Sequence, residues 1–164
     1  MKRLTIVLAV LMGLFAFISC DEDSGTNNDD KNKDPWIGTW LSAGADVAPL
    51  LIGLFNYDSV RVELTDDMVV KTHSHIAGGA WATVEGVYTV TESQNGDVHS
   101  VEFVYAAFSQ EGIMQVIDAS PDSIKLEVVQ TLPDIGAVPR TPATGFGSDA
   151  ALGTANIQKY VKED

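Results

Sequence analysis

The chain has 164 residues, 45% of them hydrophobic, with 23 acidic against 10 basic side chains, a formal charge of −13 and a single cysteine. So large an excess of carboxylates excludes nucleic acid as a partner, because phosphate recognition needs Lys and Arg to displace counterions, and it disfavours adsorption on anionic lipid headgroups. One cysteine excludes an internal disulfide, and the length suits one compact domain with a core of its own.

Lys2 and Arg3 precede an apolar run over residues 4–18 that is too short to span a bilayer. The pattern reads as a secretory signal peptide over residues 1–19, removed from the mature protein. Its removal takes away two cations and no carboxylate, so the formal charge goes from −13 to −15. Directly behind it, Phe17-Ile18-Ser19-Cys20 resembles the lipobox of bacterial lipoproteins, in which apolar and small residues precede the cysteine that becomes a lipid-bearing N-terminus. The resemblance implies palmitate-type acylation of Cys20. Each buried methylene contributes about 0.8 kcal/mol and two chains suffice for stable anchoring, so the implied partner of Cys20 is a bacterial membrane.

Residues 21–34 contain no apolar side chain and cannot offset the entropy of ordering, so residues 20–34 are expected to be a lipidated, acidic, disordered tether. Acidic residues just behind a lipidated cysteine resemble the surface-export signal of some bacterial lipoproteins, whereas Asp21 itself resembles an inner-membrane retention signal of others. The expected location is the cell envelope, at the outer membrane, with the periplasmic and surface faces both open. The acidic spacing does not match a calcium-binding EF-hand loop.

Residues 35–164 are expected to form the folded domain. Trp36, Gly38 and Trp40 fall on one face of a first strand, where the glycine permits close approach of a neighbour. Val47, Leu50, Leu51, Leu54 and Phe55 then repeat with helical spacing, with Asp46 as a candidate N-cap and Pro49 in the first turn. This short helix could be a lid over a ligand entrance or a plug completing the core.

From Ser59 the period becomes two. Val60, Val62 and Leu64 oppose Arg61 and Glu63, and Met68, Val70, Thr72, Ser74 and Ile76 oppose Lys71, His73 and His75. Ala82, Val84, Gly86, Tyr88 and Val90 line the next strand, and Asn95-Gly96 is a strong hairpin signal. Val101, Phe103, Tyr105 and Ala107 follow, then a shorter strand over residues 113–119 whose inner face alternation leaves open, then Ile124, Leu126 and Val128. A long segment over residues 133–155, rich in Gly, Pro, Thr and Ala, leads to a final strand over residues 156–162. Eight strands and one early helix predict an all-β fold, an eight-stranded antiparallel barrel with the helix between the first two strands.

Gly38-Thr39-Trp40 is similar to the Gly-x-Trp of the first strand in lipocalins and other calycins. With Val47-Ala48-Pro49-Leu50-Leu51, Gly86-Val87-Tyr88-Thr89-Val90, Gly145-Phe146-Gly147-Ser148 and Asn156-Ile157-Gln158, residues 35–164 resemble a lipocalin-like family of small bacterial lipoproteins. The resemblance implies the barrel and a small apolar ligand, but no assigned activity.

The chemistry the residues offer is sparse. His73-x-His75 could chelate a metal from one strand face, but no third ligand is evident and a solvated outer face is the preferred reading. The Gly145 to Ser148 run lacks the lysine and following helix of a phosphate loop, and no Gly-x-Ser-x-Gly elbow occurs. No catalytic residue, metal or cofactor is expected, the protein is read as a non-enzyme, and it is expected to be a monomer. The preferred reading is ligand binding, with Trp36, Trp40, Leu51, Phe55, Tyr88, Phe103 and Tyr105 among the wall residues. The alternative is a protein- or glycan-binding module with a filled barrel, using outer positions such as Trp81, Val87 and Val104.

Overall fold

A computed structural model describes residues 33–94 and 96–163. The signal peptide, Cys20 and nearly all of the expected tether lie outside the described residues. Eight antiparallel strands run in chain order around a closed barrel, as alternation predicts: β1 (Gly38–Ala43), β2 (Tyr57–Leu64), β3 (Val69–Ile76), β4 (Ala82–Thr91), β5 (Val98–Tyr105), β6 (Ser109–Ile117), β7 (Ser123–Leu132) and β8 (Gln158–Lys162). Closure is made by β1 and β8, with Trp40 opposite Lys162 and Leu41 opposite Val161. A closed sheet leaves no row of unpaired backbone groups for another strand to add to.

Among the described residues one α-helix, α1 (Pro49–Phe55), lies between β1 and β2. Its N-cap is Ala48 rather than Asp46, which falls in a short 3₁₀ turn before it. Proline disfavours helical backbone in the residue before it, and Pro49 therefore sets the helix start at itself. Asn56 ends the helix in the left-handed region with φ 57°, its N–H bonded to the Ile52 carbonyl.

Period two sorts the walls. Val60, Val62 and Leu64 of β2, Val101, Phe103 and Tyr105 of β5, and Ile124 and Leu126 of β7 are buried inside, and each fully buried aliphatic or Phe side chain contributes about 1.5–3 kcal/mol. Met68 departs from the expected inner face. It sits in the β2–β3 turn at φ 60°, largely exposed, where Asp66-Asp67 reverse the chain. The strand expected over residues 113–119 is longer and begins earlier, at Ser109, and its inner face carries Gln110, Met114 and Val116. The last strand is shorter than expected and starts at Gln158.

The two ends of the barrel differ. At one end Trp36, Trp40, Leu64, Val70, Tyr88, Val101 and Met114 pack into a solid core. Trp40 Nε1 donates to the Trp36 carbonyl at 2.9 Å, and the Tyr88 hydroxyl donates to the Thr65 carbonyl at 2.7 Å, so both buried polar tips are satisfied. Only about 10 Å³ of void remains among Trp40, Leu64, Phe103, Met114 and Tyr160.

The long β7–β8 segment lies against the outside of the wall. Gly147 N–H donates to the Glu127 carboxylate at 2.8 Å, and the Lys125 ammonium stands 4.2 Å from the centre of the Phe146 ring. Ile113 and Glu127 alternate to that outer face yet are buried. A loop so poor in large side chains is held by covering part of the wall rather than by a core of its own.

Candidate functional site

The open end of the barrel is hollow. A cavity of about 440 Å³ lies between α1 and the starts of β4, β6 and β8, within the range of about 300–1,000 Å³ that holds small molecules. Leu51 and Phe55 of α1 border it, so the helix edges the cavity and does not fill it. Val60 and Val62 of β2, Ala82 and Val84 of β4, Phe103, Phe108 of the β5–β6 turn, and Leu126 and Val128 of β7 supply the rest of its apolar lining. At the rim Leu54, Phe55, Ile76 and Leu132 are exposed, so the entrance is also apolar.

A second group of lining side chains is polar and uncharged: Thr72, Ser74, Gln110, Gln130, Asn156 and Gln158, together with the phenols of Tyr57, Tyr105 and Tyr160. Among the described residues no Asp, Glu, Lys, Arg or His lines the cavity. Tyr105 and Thr72 bond each other at 2.7 Å. Burial pushes the Tyr105 and Tyr160 phenols above the ordinary tyrosine range, which keeps both neutral.

Of the residues that alternation and resemblance point to, Leu51, Phe55, Phe103 and Tyr105 line this cavity. Trp36, Trp40 and Tyr88 lie in the packed end beneath it. Sequence reasoning does not single out the amides that share the wall. A signal for them was present, since Gln130 continues the Ile124, Leu126, Val128 alternation and Gln158 stands two residues from the buried Tyr160.

His73 and His75 stand on the outer face, as expected, but are tied into it. His73 bonds Glu63 at 3.1 Å and Thr83 at 2.7 Å, and His75 bonds Asp58 at 2.7 Å and the Gly79 carbonyl at 3.2 Å. The hydrogen bond from His75 holds the Asp58 carboxyl below the usual carboxylate range. Arg61 sits over the Trp81 ring at 5.0 Å and pairs with Glu163. Among the described residues no cluster of three or more His, Cys, Asp or Glu is placed to hold a metal ion. Comparison of the chain with family models, with curated proteins and with solved structures finds no match.

Proposed function

We propose that the protein is a membrane-anchored, extracytoplasmic lipoprotein of lipocalin-like type, whose barrel binds a small apolar ligand in the cavity at its open end. The observation that carries the reading is the cavity of about 440 Å³ inside the wall, with apolar side chains from β2, β4, β5 and β7 in its lining, exposed apolar residues at its rim and a helix at its edge. Protein interiors are otherwise packed to the density of organic crystals, so a void of this size is destabilising unless something fills it.

The test is ligand uptake. Phenylnaphthylamine, a neutral apolar fluorophore, is expected to bind the purified full chain with one-to-one saturation and to be displaced by small apolar compounds. The double substitution Ser74→Phe and Val128→Phe places two rings in the cavity and is expected to weaken binding at least about tenfold, a difference of about 1.4 kcal/mol, with the circular dichroism spectrum retained. Uptake that survives this double substitution undiminished would remove the cavity as the site. No uptake of any apolar compound would favour an interaction surface around Trp81, Val87 and Val104, all exposed on the outer wall.

Anchoring is tested separately. Labelled palmitate fed to a bacterial host expressing the chain is expected to appear on the wild-type protein and to be absent from Cys20→Ala, which should no longer be acylated. A Cys20→Ala protein that still carries label would overturn the anchor.

A further inference from the structure

Gln158 makes an unusual demand on whatever occupies the cavity. It is the first residue of β8, it is 5% exposed, and its side chain lines the hollow. Its Nε2 is buried without a hydrogen-bond partner. Leaving a buried donor unmade costs about 1–3 kcal/mol, which makes this group a place where an incoming acceptor gains more than it would in water. Three of the other lining residues are already served: Asn156 Nδ2 donates to the Val128 carbonyl at 2.8 Å, and Tyr105 and Thr72 bond each other at 2.7 Å.

Charge narrows the ligand from the other side. With no ionisable acid or base of Asp, Glu, Lys, Arg or His type among the described lining residues, an entering carboxylate or ammonium would meet no opposite charge. Stripping an ion of water without such a partner is heavily penalised, by several kcal/mol even after relaxation. A neutral molecule escapes that penalty. Its apolar body would lie against Val60, Val84, Phe103 and Phe108, and its oxygen would reach the β7–β8 wall.

We propose that the cavity selects an uncharged amphiphile, a small apolar body ending in an amide, carbonyl or hydroxyl oxygen that accepts a hydrogen bond from Gln158. This rests on the ligand-binding reading above and adds the class of ligand to it. Free fatty acids in their ionised form are thereby disfavoured, and their neutral amides and alcohols are the matched class.

Octanamide, octanol and octanoate share one tail and differ at the head, so they separate the two arguments. Near neutral pH, octanamide and octanol are expected to displace bound phenylnaphthylamine from the full chain at concentrations about tenfold or more below octanoate. In Gln158→Leu, which removes the unpartnered donor at similar volume, octanamide and octanol are expected to lose about tenfold in displacement relative to octanoate, each read against the phenylnaphthylamine affinity measured for that variant. Gln158→Met replaces it if the leucine variant does not fold. Octanoate equal to octanamide would overturn the proposal, as would an octanamide preference unchanged in the variant. Each of those results leaves cavity binding standing, whereas failure of phenylnaphthylamine to bind the wild-type chain would overturn both readings together.

Discussion

Trp40→Ala is expected to destabilise the protein by about 3–5 kcal/mol, the range for removing a buried Trp or Phe side chain. Trp40 is 1% exposed and belongs to the solid core at the closed end. Its ring lies on β1 at the seam where β1 meets β8, with the Lys162 ammonium 5.3 Å from the ring centre and its own N–H bonded to the Trp36 carbonyl. Alanine would therefore leave a void, orphan the Trp36 carbonyl and loosen the closure of the barrel. Domains of this size are stable by only about 5–15 kcal/mol, so the substitution would remove a large share of the margin. Chemical denaturation checks it, and a loss below about 1.5 kcal/mol would show that the core can collapse around the gap. Trp40→Phe keeps most of the packing and should lose little beyond the hydrogen bond, about 1 kcal/mol.

That tryptophan also shows what the sequence does and does not make legible. Alternation places Trp40, Tyr88 and Phe103 on the inner face, and the strand order and closure follow from the number and spacing of such runs. Period two says nothing of height along the barrel axis, which is set by the stagger between neighbouring strands. Phe103 consequently reaches the cavity whereas Tyr88, paired directly with it across β4 and β5, is pinned at the closed end by its bond to Thr65. The hollow itself is a property of summed side-chain volumes around a ring, and no local window contains it. The start of β6 was hidden for a different reason: Ser109-Gln110-Glu111-Gly112 carries no apolar residue to mark a wall. Its inward glutamine makes sense only beside a cavity.

Gly112→Ala is expected to destabilise the barrel by at least about 1–3 kcal/mol, the cost of forcing an extra carbon into a packed site. Gly112 lies opposite Val128 on the β6–β7 ladder. A Cβ built there would stand 2.0 Å from the Glu127 carbonyl oxygen and 2.8 Å from the Val128 Cα. Both obstacles are backbone, which cannot swing aside, so relief requires β6 and β7 to part where the sheet bends. Gly86 holds the corresponding position on β4, with a built Cβ 2.2 Å from the Val104 carbonyl oxygen, and Gly86→Ala should behave alike. Such close approaches are how a twisted sheet turns its corners and returns to its first strand. Gly53 supplies the control within the same molecule. It lies inside α1 with nothing within 4 Å of a built Cβ, so Gly53→Ala should stabilise the protein by about 0.5–1 kcal/mol through helix propensity alone. Urea midpoints of the three variants decide the matter: the wall glycines must fall and the helix glycine must rise. A Gly112→Ala protein as stable as wild type would mean that the strands separate at no cost, and the argument that closure depends on bare backbone at these two corners would fail.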